Sequence, residues 1–271
     1  MRVVVTRPAA ESQAWSQALR LAGFDAVALP LIAIAPLADE ARQALRDRWG
    51  SLADFRAVMF VSAAAVQHFF AAAPAGWRWP GATRAWSPGP GTSAVLLGHG
   101  LPATVIDAPA ADARQLDSES LWDAAGAGIA PGEAVLIVRG ARQSREDAAS
   151  AGHGRAWMSE RLLQAGARVD TVAAYRRGAP DWNTDQATAA RALAGSDTVW
   201  LFSNSEAIEH LFDLLPSDAS ALRLGTALST HPRIALAATA AGFARTELAQ
   251  PGMEGVLSAL RGLDRSIEST A

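Results

Sequence analysis

Tyr175 is the only tyrosine in 271 residues, and it ends an apolar run, AGARVDTVAAY, with Arg176 and Arg177 directly behind it. A phenol ordinarily ionises near pH ~10, so at neutral pH it holds its proton and can donate a hydrogen bond to a departing oxygen. The same residue reads equally well as a strand tyrosine that only packs a sheet. A second group of residues sits where short apolar runs give way to helices. These turns are Thr6-Arg7-Pro8, Ser62-Ala63-Ala64, residues 87–92 (SPGPGT), Arg139-Gly140, Ser203-Asn204-Ser205 and Ser229-Thr230-His231. Helix starts present free backbone N–H groups, and Ser, Thr, Gly and Arg beside them suit an anionic ligand held largely by main-chain amides. Each such residue could instead do no more than cap its own helix.

Other chemistries are closed by what the chain lacks. It contains no cysteine, which removes disulfides, thiolate nucleophiles, iron–sulfur clusters and cysteine-rich zinc sites. It contains no lysine, which removes Schiff bases, covalent pyridoxal phosphate and the lysine of a P-loop. Its five histidines are scattered singly, at 68, 99, 153, 210 and 231, with no metal-binding or hydrolytic spacing. Gly89-Pro90-Gly91-Thr92 would need a glycine at 94 to read as a dinucleotide fingerprint, and alanine stands there. A metal centre and a Rossmann cofactor site are therefore not expected. A formal charge of −3 carries no nucleic-acid footprint. No apolar run approaches the ~20 residues of a membrane span, and MRVVVTRP turns polar too soon for a signal peptide. A cytoplasmic protein is expected. The nine tryptophans, Trp77, Trp79 and Trp182 among them, suit core and loop packing better than an aromatic-lined cleft.

The elements that must position these residues alternate between strand and helix. Residues 3–6 form a short buried strand, a helix runs to Ala22, and Gly23 stops it before a β-rich run that carries Pro30 and Pro36. Further strands are expected over 56–61, 83–86, 104–106, 134–138, 169–174, 198–202, 224–228 and 245–248, with helices between and after them, those over 114–125, 232–241 and 253–263 among them. The stretch 141–154, rich in Arg, Ser and Gly, reads as a mobile loop. The expected fold class is α/β with two doubly wound parallel-sheet domains.

An internal repeat divides the chain. AVMFVSAAAVQHFF (57–70) matches TVWLFSNSEAIEHLF (198–212), and GLPATVIDAP (100–109) matches GFARTELAQP (242–251). The opening VVVTRP…LAGFDAV matches VLIVRG…QAGARVDTV, but this unit comes first in one half and last in the other. One domain is therefore discontinuous, residues 1–36 plus 174–263. The other, 37–173, is inserted, and 264–271 is a frayed tail. The runs after Gly23 and Gly166 are expected to form a two-strand bridge, with Tyr175 facing the gap.

In order and spacing, VVVTRP, LPLIAIAP, FVS-AAAV, GPGT, VLIVRG, AGARVDTVAAYRR, VWLFSNS and HPRIA…GF…AQPGMEGVLSAL resemble the uroporphyrinogen-III synthase family over nearly the whole chain. The resemblance implies two α/β domains joined by two strands. It implies a dehydrating cyclisation of hydroxymethylbilane, a linear tetrapyrrole rich in carboxylates, to uroporphyrinogen III with inversion of the last ring. It also implies no cofactor, a monomer, and possible transient hand-over of substrate from hydroxymethylbilane synthase. Tyr175 matches the family tyrosine proposed to assist loss of the hydroxyl. Ser62, Thr92, Ser203, Ser205 and Thr230 fall at turns the family uses for substrate; Ala63 and Asn204 share those turns, and Arg7 and Arg139, in the turns after the strands 3–6 and 134–138, are further substrate-binding candidates. The place equivalent to GPGT reads His231-Pro232-Arg233-Ile234, which leaves Thr230 as the nearest threonine. Two other classes fit the same elements: a two-domain cytoplasmic binding protein for an anionic small molecule, and a nucleotide-sugar transferase with two lobes.

Overall fold

A computed structural model describes residues 1–110, 118–142 and 153–268 and divides the chain into two compact units. Unit 1 comprises Met1–Ala33 and Gly178–Ala271, and unit 2 comprises Ile34–Arg177. Unit 1 opens with β1 (Arg2–Val5), α1 (Ala9–Leu21) and β2 (Asp25–Ala28). Unit 2 follows with β3 (Ala33–Ala35), α2 (Asp39–Gly50), β4 (Ala57–Phe60), α3 (Ala63–Ala71), β5 (Arg84–Trp86) and α4 (Pro90–Gly98). It continues through β6 (Ile106–Asp107), α5 (Ser118–Ala125), β7 (Ala134–Arg142), α6 (His153–Gln164) and β8 (Arg168–Gly178). Unit 1 then resumes with α7 (Thr184–Ala192), β9 (Thr198–Phe202), α8 (Glu206–Leu214), α9 (Ala219–Arg223) and β10 (Thr226–Ser229). It closes with α10 (Pro232–Ala241), β11 (Arg245–Leu248) and α11 (Met253–Glu268).

Unit 1 holds a five-stranded sheet ordered β11-β10-β9-β1-β2, and its paired strands are all parallel. Its strand cores are continuous apolar runs because helices cover both faces of a parallel sheet. Val3, Val5, Val199, Leu201 and Leu228 face Leu19 of α1 and Val256 and Leu260 of α11. The opposite face carries Phe202, which meets Phe243 edge-on at 5.7 Å. At the start of α7, Asn183 Oδ1 accepts from the Gln186 N–H at 2.8 Å, and Gln186 Oε1 accepts from the Asn183 N–H at 3.0 Å. This reciprocal capping box satisfies two otherwise orphaned donors. Asn183→Ala is expected to cost about 1 kcal/mol in chemical denaturation.

Unit 2 holds a six-stranded sheet ordered β3-β8-β7-β4-β5-β6, parallel from β8 to β6. One face buries Val58, Phe60, Leu136, Val138, Val172 and Ala174 against α2 and α3. The other buries Ala57, Met59, Val135 and Ile137 against Leu121, Met158 and Leu162. The glycines that the repeat pairs, Gly23 and Gly166, both take positive φ, 95° and 80°, where a side chain would be strained.

Several boundaries differ from the sequence pattern, and the reasons are tertiary or lie in weak local signals. β7 does not end at Val138, and β8 does not end at Ala174; the two pair onward to Arg142 and Arg177. The division between units consequently falls after Arg177 rather than after residue 173, and after Ala33 rather than after residue 36. Tyr175 thus belongs to the sheet of unit 2. The helix expected to stop at Leu263 continues to Glu268, since no glycine or proline follows Leu263 to break it. The strand expected over 104–106 is mostly a 3-10 turn, with β6 only at Ile106–Asp107. Of the loop expected at 141–154, residues 143–152 lie outside the described residues, as do 111–117, which include the start of the helix expected at 114–125.

Candidate active site

In unit 2 the strand order reverses between β4 and β7: β5 and β6 lie to one side, β8 to the other. Such a switch point opens a crevice beyond the carboxyl ends of its two strands. Ser62 follows β4 there, and Arg139-Gly140 lies in the distal half of β7. Ser62 and Gly140 are both brought against Tyr175. The Tyr175 hydroxyl and Ser62 Oγ are 3.2 Å apart, and Ser62 Oγ also accepts from the Ala65 N–H at 3.2 Å, capping α3. The tyrosine is 4% exposed, and its ring stacks on His68 of α3, centroid to centroid 5.4 Å at 29°. Burial pushes the His68 imidazole below its ordinary pKa, so it is neutral at neutral pH.

The sequence pattern puts Arg139-Gly140 in a turn that leads into the loop 141–154, whereas both residues are paired within a nine-residue strand. The apolar run stops at Val138, but pairing to β8 carries the strand through polar residues that periodicity does not mark. His68 and Gly140 were missed as neighbours of the tyrosine. His68 lies six residues after Ser62, a spacing that does not put two residues on one face of a helix, so the sequence offers no signal that pairs them.

Thr92 lies in the first turn of α4, 7% exposed, with its N–H donating to Gly89 O at 3.1 Å. The preceding turn is tied by hydroxyls: Ser87 Oγ donates to Gly89 O at 2.9 Å and Ser93 Oγ to Ser87 Oγ at 2.9 Å. A separate pocket of this unit lies by the first residues of β4 and β5, lined by Arg56, Arg84, Trp86 and Asp107. Its charges are paired within the protein, Arg84 with Asp107 and Arg56 with Glu133, and Trp86 Nε1 also donates to Asp107. Hydrogen bonds to Asp107 hold the Arg84 guanidinium above its ordinary pKa.

In unit 1 the order reverses between β1 and β9. Thr6 Oγ1 donates to Leu201 O at 2.8 Å, and the Thr230 N–H donates to Phe202 O at 3.2 Å, so the turns after β1, β9 and β10 form one row. Arg7 is committed along α1: Nη1 donates to Glu11 Oε2 at 3.0 Å, and the guanidinium lies 4.1 Å over the Trp15 ring. Burial lowers its pKa while Glu11 opposes the shift. Asn204 Oδ1 accepts from the Glu206 N–H at 3.0 Å, and His231 Nδ1 accepts from the Arg233 N–H at 3.1 Å. Ser205, by contrast, makes no side-chain cap at α8. Capping therefore accounts for Asn204 and in part for Ser62, and at α10 the cap is a histidine, which leaves Thr230 unassigned.

Among the described residues no group of histidine and carboxylate side chains could hold a metal ion, and no helix is long and apolar enough to cross a membrane. The fold and site define an α/β protein of two doubly wound sheets whose polar turns gather at the carboxyl ends of their strands. The family model described as uroporphyrinogen-III synthase HemD matches residues 13–258. A solved structure of a substituted uroporphyrinogen III synthase from the extremely thermophilic bacterium Thermus thermophilus is similar at 18% identity, covering 99% of each chain with a TM-score of 0.59. The wild-type Thermus thermophilus enzyme in another crystal form gives 19% identity, 100% and 99% coverage and a TM-score of 0.44. The first of these likenesses establishes the fold, and the family match establishes the membership. The chain belongs to the uroporphyrinogen-III synthase family, cyclising lyases of haem biosynthesis.

Proposed function

We propose that Tyr175 is the proton donor in a cyclisation that converts hydroxymethylbilane to uroporphyrinogen III with inversion of ring D. The observation that carries this reading is the lone phenol at the switch point of unit 2, 3.2 Å from Ser62 Oγ. The phenol exchanges Ser62 for the substrate's terminal hydroxyl and gives up its proton as the carbon–oxygen bond breaks, so that water leaves. The neighbouring pyrrole nitrogen takes up the positive charge as an azafulvenium-type cation. Attack by the substituted carbon of ring D forms the new carbon–carbon bond through a spiro intermediate. Rearrangement inverts that ring, and loss of one proton restores the aromatic pyrrole. The net change is loss of one water.

The bilane closes unaided to the uninverted isomer, so the protein's contribution is mainly to hold the reacting ends in the inverting geometry. Ser62, Ala63 and Thr92 in unit 2, and Ser203, Ser205 and Thr230 in unit 1, hold acetate and propionate groups through hydroxyls and helix-start amides. Arg7 and Arg139 supply positive charge beside these turns, and Asn204 shapes its turn. The reaction runs without metal or cofactor. The protein works as a cytoplasmic monomer that takes its labile substrate by transient hand-over from hydroxymethylbilane synthase.

A coupled assay tests the reading: hydroxymethylbilane is generated in situ, the products are oxidised, and the isomers are separated by chromatography. Predominantly type III product is expected. Type I alone, at the rate of the protein-free control, would overturn it.

A further inference from the structure

The register between β7 and β8 contains one irregularity, and it falls beside the tyrosine. Val138 pairs with Val172 and Arg139 with Ala173, but Gly140 then pairs with Tyr175, so Ala174 is the extra residue of a β-bulge. Side chains alternate between the faces of a strand, so a regular ladder would place Ala174 opposite position 140 and send Tyr175 to the other face. With the extra residue, Val172, Ala174 and Tyr175 all join the core that contains Leu136 and Val138. The ring then lies directly on residue 140. A Cβ there would stand 2.6 Å from Tyr175 Cε2 and Cζ and 3.0 Å from the hydroxyl oxygen. Its φ is not in the positive range, so backbone conformation does not require glycine at 140. Space for the phenol does.

We propose that Gly140 is a positioning residue for Tyr175: the bulge turns the ring onto this face, and the missing side chain lets it settle between β7 and His68 with its hydroxyl at Ser62. This inference rests on the reading of Tyr175 as proton donor. A general acid must be held within about half an ångström of its productive place, and displacement by about 1 Å can cost on the order of 100-fold in rate.

The test uses the fact that the chain has one tyrosine, so ¹³C-tyrosine labelling gives a single ring environment by NMR. Gly140→Ala is expected to shift or broaden that signal and to lower kcat about 10- to 100-fold, with KM within about 3-fold. In a Tyr175→Phe background, where no hydroxyl remains to misplace, the same change is expected to lower kcat by less than about 2-fold further. An unchanged tyrosine signal, or a shifted signal with wild-type kcat, would overturn the proposal. Equal losses from Gly140→Ala with and without the hydroxyl would overturn it too. Full activity in Tyr175→Phe alone would instead remove the proton-donor reading, while the NMR shift would still report whether Gly140 sets the ring. Should Gly140→Ala not fold, pairing it with Tyr175→Ala decides, since the added methyl then meets no ring. That pair is expected to melt with Tyr175→Ala alone, and a pair that still fails to fold overturns the inference.

Discussion

Tyr175→Phe is expected to fold normally and to lose about 100-fold of its cyclising rate, within the range a general acid supplies. The ring, its stacking on His68 and its packing on Gly140 are all retained, so only the hydroxyl and its contact with Ser62 disappear. Ser62 keeps its bond from the Ala65 N–H, so the loss in stability should stay near ~1 kcal/mol, the ordinary worth of one hydrogen bond. KM should change little, because the turns proposed to hold carboxylates are untouched. The product ratio is the sharper measurement. As the catalysed route slows, unaided closure overtakes it and the type III share falls. A variant with wild-type rate and isomer ratio would take Tyr175 out of the mechanism and leave it as a packing residue of β8.

Phe60→Ala is expected to have the largest effect on stability, about 3–5 kcal/mol. Phe60 is fully buried on β4, the central strand that leads to Ser62, and no backbone shift can easily close the space behind it. Its ring meets Phe69 edge-on at 5.4 Å, Phe70 at 6.2 Å and Trp79 at 6.3 Å. Truncation removes apolar burial and these contacts together, and leaves a cavity lined by rigid aromatics. Against a total stability of about 5–15 kcal/mol for a typical domain, that is a large share. Urea denaturation followed by tryptophan fluorescence should show it directly, since Trp49, Trp77 and Trp79 lie in or against the same cluster. A midpoint shift equivalent to less than about 1 kcal/mol, far below the usual cost of a buried cavity, would mean the surrounding rings collapse into the space.

The periodicity of short buried strands separated by helices pointed to the parallel sheets, and strands 198–202 and 245–248 and the helix 232–241 match the expected bounds residue for residue. Beyond the end of an apolar run, the pattern gives no sign that a strand goes on. Nothing in Arg139-Gly140-Ala141-Arg142 alternates or repels in a way that announces a strand, and only β8 alongside makes it one. The small helix α9 was missed for a related reason: five residues are too few to show a period. At the turns, serine and threonine types announced helix starts correctly, but composition alone could not say which hydroxyl caps. The structure assigns that work to Ser62, Asn204 and the ring of His231, and not to Ser205.

What the sequence determined by itself is local or countable. It closes thiol and lysine chemistry, offers one tyrosine, alternates strand with helix, and repeats the same polar turns in both halves. These follow from residue type and from periods of two and 3.6, which are properties of neighbours along the chain. What tertiary structure decided is where Tyr175 points. That depends on a one-residue slip between two strands, on the absence of a side chain 35 positions earlier, and on a histidine from another element. Register is fixed by the fit of buried faces across the sheet, and a single extra residue turns every later side chain over, so no local pattern in AAYRR could have disclosed it.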